Sequence, residues 1–262
     1  MSAAGACLAL VERDIRAIGR SRSQLYSSIL TPLLLLVFLG TGVSQGLEPS
    51  ALPAGNFTAY LVPGVVVMTA VFSATFSSAS YYRDRDSGVL RMLLSSPVSA
   101  RVVLLGKSLA GVALGALQAM IVLGIAAPFV EFEWQYGVPA GIALSLAAIL
   151  LLAIFLAGVA QALASRIETM QGFHLLMNLV LFPLLFFSGA FFPVDNLPLW
   201  LEILARVNPL SYAVDALLLA TYAENSDGFF GLWLDFVVLT GLAVVVFALG
   251  FVRVPRLTWS GQ

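Results

Sequence analysis

The chain has 262 residues, of which 60% are hydrophobic and 10% charged, and its formal net charge is −1. A soluble domain carries about a quarter charged residues, so this composition excludes a water-soluble enzyme or nucleic-acid-binding protein and indicates an integral membrane protein. Membrane spans, short loops and termini account for the length, so we expect no ATPase domain within it. Any energy source is expected to lie on another chain.

The first predicted element is an interfacial helix over residues 6–24. Its apolar residues recur at helical spacing, at Leu8, Val11, Ile15 and Ile18. Charged residues occupy its other faces, at Glu12, Arg13, Arg16 and Arg20. This pattern is typical of a helix that lies flat on the cytoplasmic membrane surface. A solvated helical extension is the alternative.

Six apolar stretches of about 20 residues follow, each long enough to cross a hydrocarbon layer of about 30 Å as a helix. They lie at 27–46, 58–81, 102–130, 140–164, 172–192 and 229–252. Eleven of the 13 Lys and Arg residues fall in the gaps on one side of these spans, Lys107 lies near the start of span three at that same side, and the exception is Arg206. Because Lys and Arg in short loops set orientation, the pattern predicts an all-α membrane protein with both termini in the cytoplasm.

The connection over residues 83–100, between spans two and three, is the most charged part of the chain. Asp86 or Ser87 is predicted to cap a short helix, and Pro97 is predicted to end it. The apolar stripe of this helix consists of Leu90, Leu93 and Leu94. A solvated loop does not need such a stripe, so we expect it to dock in a groove on a partner protein.

Between spans five and six, residues 193–227 are too many for a simple turn and too apolar for an ordinary loop. Prolines divide the segment into pieces around 197–206 and 211–222. Neither piece is long enough to span a bilayer, which favours a re-entrant or surface-lying helical pair on the outer side. Asn208 and Pro209 are predicted to form the turn and helix start of the second piece.

Candidate catalytic sites are rejected on spacing. Gly106-Lys107-Ser108 resembles the end of a phosphate-binding loop, but Arg101 stands where its first glycine is needed. Ser188 and the only histidine, His174, would lie about 21 Å apart on one helix, too far for a catalytic dyad. One histidine and one cysteine also argue against a metal site. We therefore expect no catalytic residue, metal or bound cofactor.

Two motifs resemble those of ABC-2 type transporter permeases. Residues 83–98, RDRDSGVLRMLLSSPV, with LLGK at 104–107, resemble the cytoplasmic loop of that family. Residues 187–194, FSGAFFPV, and 207–215, VNPLSYAVD, resemble its signature region. With the six spans, the resemblance covers nearly the whole chain. Arg91 departs from the pattern, since related sequences often carry an acidic or polar residue there.

The resemblance implies a half-transporter, in which two copies of this chain and two cytoplasmic ATPase subunits, which hold ATP and Mg, export amphiphilic cargo. Its expected location is the cytoplasmic membrane of a bacterium or archaeon, in contact with lipid and not with nucleic acid. The implied ATPase-coupling residues are Asp84, Arg85, Asp86, Ser87, Gly88, Leu90, Arg91, Leu93, Leu94 and Pro97. A second ATPase contact is expected at Glu12, Arg13 and Arg16.

The remaining site predictions concern the cargo path and the outer segment. The candidate cargo path comprises Gln118, Asn178, Phe187 and Ser188. For its polar members, interhelical hydrogen bonding is the alternative reading. The re-entrant signature comprises Gly189, Pro193, Asn208, Pro209, Tyr212 and Asp215. Spans one and five are expected, on resemblance, to form the cargo-facing dimer seam.

Three hypotheses about function follow. The first is export of hydrophobic drugs or lipid-like amphiphiles, which the 18 Phe and 4 Trp residues slightly favour. The second is export of lipid-linked polysaccharide or oligosaccharide, for which aromatic rings along a tunnel would be the distinguishing feature. The third is a secondary transporter that works without an ATPase, and the absence of an obvious Asp/Glu/His relay weakens it.

Overall fold

The computed structural model describes residues 3–20, 22–43, 57–95, 98–130, 132–134, 136–194, 198–222 and 228–252. Over these ranges the chain forms helices and no β-strand. The helices are α1 (Ala3–Arg20), α2 (Arg22–Val43), α3 (Phe57–Ser77), α4 (Ala79–Asp86), α5 (Val89–Leu94), α6 (Ala100–Ala126), α7 (Val138–Ala164), α8 (Met170–Phe186), α9 (Leu199–Val207), α10 (Pro209–Thr221) and α11 (Leu232–Val252).

Five segments of the described chain are long and apolar enough to cross a membrane: the helices α2, α6, α7 and α11, and α3 together with α4. In chain order, α2, α3 with α4, α6, α7 and α11 correspond to predicted spans one, two, three, four and six. The predicted fifth span, 172–192, was too long, since α8 runs for 17 residues and ends at Phe186. The chain turns there because Gly189 adopts a positive φ of 79°. At a rise of 1.5 Å per residue, α8 is about 25 Å long.

Helix α3 occupies the centre of the bundle and is buried along nearly its whole length. It packs against α2, α6, α7, α8 and α10, and α7 in turn packs against α11. Small and β-branched residues on α3 let these neighbours approach closely, as is usual between membrane helices. The main hydrophobic core therefore surrounds α3, and α2, α8 and α11 lie at its edges.

The segment after α8 forms two short helices, α9 and α10, which meet at an angle of 84°. They match the two pieces expected around 197–206 and 211–222. By alternation of the spans, they lie at the end of the bundle opposite α1, α4 and α5. We call these two ends the α9 end and the α5 end.

Candidate functional site

Helix α1 packs against the first turns of α6 through one narrow face. Ala6, Leu10 and Asp14, each four residues apart, are buried along that face. Gly106 of α6 permits the contact, because a Cβ atom there would lie 2.9 Å from the Cβ of Leu10. The glycine of the rejected phosphate-loop motif thus allows close helix packing.

The apolar stripe predicted on α1 does not form this contact. Leu8 is 72% exposed, and Val11 and Ile15 are only partly covered. The packing face instead contains an acid, Asp14, because a cation on α6 meets it there. Of this stripe, Leu8 is left exposed, where a membrane surface can cover it.

Four charged residues from three helices meet beside that contact, and we call them the charge cluster: Arg13, Asp14, Asp84 and Lys107. The Lys107 Nζ lies 3.1 Å from an Asp14 oxygen and also donates to Asp84. Arg13 donates to Asp14 at 2.7 Å and to Asp84. The Ser80 hydroxyl lies 3.2 Å from Lys107 Nζ and 3.3 Å from Asp14. The cluster therefore joins α1, α4 and α6.

The charge cluster is electrically balanced and largely buried. Its two cations face two carboxylates. The side chains of Lys107 and Asp14 at its centre are 7% and 3% exposed, and those of Arg13 and Asp84 at its edge are 36% and 20% exposed. Burial acts to lower the pKa of Arg13, but hydrogen bonds and charges from Asp14 and Asp84 outweigh it, so that this pKa is raised. Burying ions costs free energy unless they are paired and hydrogen-bonded, and here each member has a partner of opposite charge.

The short helix α5 packs against other helices of the same chain. Leu90 packs with Leu10 and Val103 in a small hydrophobic cluster, with Leu93 and Leu94 partly buried against it. The expectation that this leucine stripe docks in a partner's groove is therefore wrong for Leu90, whose side chain is occupied within the chain. We call this group the small apolar cluster.

The expected cap of α5 was also wrong. Its N-cap residue is Gly88, in the left-handed conformation, which supplies no side-chain cap. Asp86 and Ser87 belong to the end of the preceding helix, with Ser87 as its C-cap. Pro97, predicted to end the helix, lies outside the described residues.

The outward surface of the α4–α5 segment is mostly charged. Arg85, Asp86, Ser87 and Arg91 are exposed, and Met92 is the large apolar residue beside them. On α1, Glu12 and Arg16 are exposed and form an i,i+4 ion pair. Of the residues assigned to ATPase contact, these face outward, whereas Arg13, Asp84 and Leu90 are engaged inside the protein.

The four residues of the predicted cargo path do not come together. Gln118 is buried and accepts a hydrogen bond of 3.0 Å from Ser28 of α2, and the Ser188 hydroxyl donates to the Leu185 carbonyl at 2.7 Å. Asn178 and Phe187 are exposed on the outer surface of α8. Interhelical hydrogen bonding is thus the correct reading for Gln118.

At the α9 end, Asn208 connects two helices. Its Oδ1 accepts from the Leu210 backbone N–H at 3.0 Å, which caps α10. Its Nδ2 donates to the Leu184 carbonyl at the end of α8. Pro209 occupies the first position of α10, where its missing N–H has no cost. The predicted turn and helix start are therefore confirmed.

Two further signature residues fix the geometry around α10. The Tyr212 hydroxyl donates to the Arg206 carbonyl at 2.7 Å, holding α9 against α10. The Tyr212 ring stacks on Phe230 with centroids 4.4 Å apart. The buried Asp215 carboxylate accepts from the backbone N–H groups of Phe229 and Phe230. These contacts tie α10 to the segment that leads into α11.

Gly189 and Pro193 lie in a segment that folds back onto α3. The Gly189 carbonyl accepts from the Tyr60 hydroxyl of α3, and Ala190 and Phe191 are buried. We call the region formed by Gly189, Asn208, Tyr212 and Asp215 with their partners the outer corner. The side chains of Asn208, Tyr212 and Asp215 bind backbone groups, which is a structural role.

Asp14, Ser80 and Lys107 were missed as members of a site. The spacing of Ala6, Leu10 and Asp14 places an acid on an otherwise apolar helix face. An acid in that position needs a cation, and Lys107 near the start of a span is a suitable one. An acid on an apolar helix face together with a cation near the start of a span was the sequence pattern that could have indicated this ion pair.

Comparison with known proteins shows a consistent relationship. The family model for the ABC-2 type transporter matches residues 5–222. A putative transport permease, ycf38, of Cyanophora paradoxa is 30% identical over 218 residues, covering 79% of this chain and 70% of that protein. Nodulation protein J of Rhizobium leguminosarum bv. trifolii is 27% identical over 195 residues, covering 74% and 72%.

A third relative is longer. A probable multidrug ABC transporter permease, YbhR, of Escherichia coli K12 is 28% identical over 166 residues, which is 62% of this chain. The aligned region covers 44% of that permease, so the chain matches less than half of its length.

Proposed function

The chain belongs to the ABC-2 type transporter family, and from this premise we propose that it is the membrane-spanning subunit of an ATP-driven exporter. ATP is hydrolysed on a separate cytoplasmic subunit, and two copies of this chain pair with two of those subunits. Both termini lie in the cytoplasm of a bacterium or archaeon. The observation that carries the proposal is the family match over residues 5–222, which includes both ends of the bundle.

The surface that contacts the ATPase is the charged face of the α5 end. Exposed Arg85, Asp86 and Arg91 on the α4–α5 segment lie at the same end as exposed Glu12 and Arg16 on α1. Charged rim contacts of this kind give specificity and orientation to an interface, and the apolar contribution comes from Met92. This proposed contact set leaves out Leu90, which is buried within the chain.

A packed route leads from this surface to α8. Tyr82 of α4 is fully buried, and its hydroxyl donates to the Ile167 carbonyl just before α8 at 3.2 Å. Its ring packs on Phe173 in the first turn of α8, with centroids 5.4 Å apart. Movement of α4 by the ATPase displaces the start of α8 through these contacts. The physical contiguity of these side chains supports this route.

The cargo surface is the exposed face of α8. Only Phe173, Met177, Leu181 and Leu185 of this helix are buried, in a single file. The other faces expose apolar residues, namely Leu175, Leu179, Val180, Phe182 and Phe186. Apart from the exposed polar residues Gln171 and Asn178, this face contains Phe and aliphatic side chains with neither Trp nor Tyr, which favours hydrophobic or lipid-like amphiphiles over sugars.

Reconstitution tests this proposal. The chain would be purified with the ABC ATPase encoded beside it and placed in proteoliposomes with daunorubicin, a fluorescent amphiphile. We expect daunorubicin movement that requires ATP and both chains, and ATP hydrolysis that daunorubicin stimulates. Movement driven by a proton gradient without the ATPase would identify a secondary transporter. Stimulation by a lipid-linked oligosaccharide alone would identify the polysaccharide class.

Labelling tests the orientation. In a Cys7→Ser background, cysteine at position 91 should react with a membrane-impermeant maleimide only after the cells are permeabilised. Cysteine in place of exposed Trp200 on α9 should react in intact cells. The reverse result would exclude an ATPase contact at α5.

A further inference from the structure

The ammonium of Lys107 is the point where three helices meet. It contacts Asp14 on α1 and both Asp84 and Ser80 on α4, while its own backbone belongs to α6. With only 7% of its side chain exposed, Lys107 has little access to solvent. The position of each helix is therefore set relative to the same nitrogen atom.

Stability alone is a poor explanation for this arrangement. Replacing a buried ion network with apolar side chains of similar size is often neutral or stabilising. Apolar contacts already join these helices, since Leu10 of α1, Val103 of α6 and Leu90 of α5 form the small apolar cluster. Tyr81 of α4 packs against that cluster. The ion pairs fix the relative position of the helices, because apolar contacts allow helices to slide past one another and hydrogen-bonded ion pairs do not.

The two helices α1 and α6 also approach so closely at Gly106 that there is no room for a larger side chain. A Cβ at Gly106 would lie 2.9 Å from Leu10 Cβ and 3.3 Å from the Cys7 carbonyl oxygen. Close approach and the charge cluster thus fix both the distance and the register of α1. The exposed charges of α1 and of the α4–α5 segment are held at a constant separation as a result.

We propose that Lys107 and Asp14 are positioning residues for energy coupling. They hold α1 and the α4–α5 segment on α6 so that both surfaces meet the ATPase as one body. The inference rests on the proposed function, since it assigns a role within the same complex.

The chain contains its own reporter of this arrangement. Cys7 is the only cysteine, and it lies partly buried on α1 beside Gly106. Its rate of reaction with a maleimide measures how often α1 leaves α6. In Lys107→Met we expect this rate to rise about tenfold, because one neutral side chain leaves two carboxylates with a single cation.

Transport per ATP hydrolysed is the second readout, measured in the same proteoliposomes with daunorubicin. In Lys107→Met we expect this ratio to fall about tenfold while ATP hydrolysis continues, since the ATPase moves without displacing the spans in register. A merely structural loss would lower hydrolysis and transport together and leave the ratio unchanged. Asp14→Asn, which keeps the side-chain shape, is the second variant and should behave in the same way.

Arg101→Met is the matched control, because Arg101 is an exposed cation on the same helix. It should change neither the labelling rate nor the ratio. The inference is overturned if Cys7 labelling is unchanged in both cluster variants, or if labelling rises and the ratio stays at the wild-type value. If the wild type shows no ATP-dependent transport, the proposed function fails, and the labelling rates still decide whether the cluster positions α1.

Discussion

The two ends of this bundle are held by different chemistry. At the α5 end, four ionised side chains neutralise one another and join α1, α4 and α6. At the α9 end, Asn208, Tyr212 and Asp215 bind backbone groups of α8, α9 and the segment before α11. Side-chain pairs depend on every partner being present, whereas backbone partners cannot be removed by substitution. The stability of the α5 end is therefore sensitive to single changes in charge, whereas that of the α9 end depends on backbone partners that no substitution removes.

The largest effect is expected from breaking the charge cluster at one member. Asp14→Ala leaves Lys107 and Arg13 with one carboxylate in a buried site, and such losses cost about 3–5 kcal/mol. We expect a strongly lowered melting temperature in detergent.

The double variant Asp14→Leu with Lys107→Met provides the control, since it removes one charge of each sign and leaves the Arg13–Asp84 pair in place. Its stability should return close to that of the wild type. A double variant as unstable as Asp14→Ala would show that shape, and not charge balance, governs this end.

The next largest effect is expected at the outer corner. Asn208→Ala removes the cap of α10 and leaves the Leu184 carbonyl without its donor, at a cost of about 2 kcal/mol. Asn208→Asp keeps the acceptor and loses the donor, so it should fall between wild type and Asn208→Ala in thermal melts. Equal stability of the Asp and Ala variants would mean that the bond to α8 carries the whole effect.

A smaller effect is expected for Tyr212→Phe. It removes the hydrogen bond to the Arg206 carbonyl and keeps the ring that stacks on Phe230. One such bond contributes about 1 kcal/mol. Tyr212→Ala, which also loses the stack, should be distinctly less stable, and a melt that fails to separate the two variants would assign all of the contribution to the hydroxyl.

The smallest effect on stability is expected for the exposed Glu12–Arg16 pair of α1. Surface pairs of this kind contribute little and are screened by salt, so Arg16→Gln should leave the melting temperature unchanged. Its binding to the purified ATPase should weaken, most visibly at low ionic strength. Unchanged binding at all salt concentrations would remove this face of α1 from the proposed interface.

Elements encoded locally could be predicted from the sequence. Long apolar runs gave five spans, and Asn208 with Pro209 marked the start of α10 because cap and proline signals act within one turn. The fifth span was drawn six residues too far, since a positive φ at Gly189 is invisible in an apolar run. The direction of the α5 leucines depended on α1, which lies about 80 residues away in the chain.

The charge cluster could not be predicted for the same reason. Its members come from three helices, and an isolated Asp or Lys near a membrane surface is ordinarily solvated. The hydrogen bond made by one residue of the predicted cargo path was not foreseen, because the polar residues were considered one at a time. Gln118 proved to be bonded to Ser28, a partner 90 positions away.

Helix α8 is attached at both extremities and loosely supported between them. Its first turn is pinned by Tyr82 and its last by Asn208, while a single file of side chains supports the middle. A rod restrained in this way flexes at its midpoint more easily than it swings. A bulky solute moving along the bundle would therefore bend the middle of α8 outward. Restraining the middle of this helix should slow the passage of the solute.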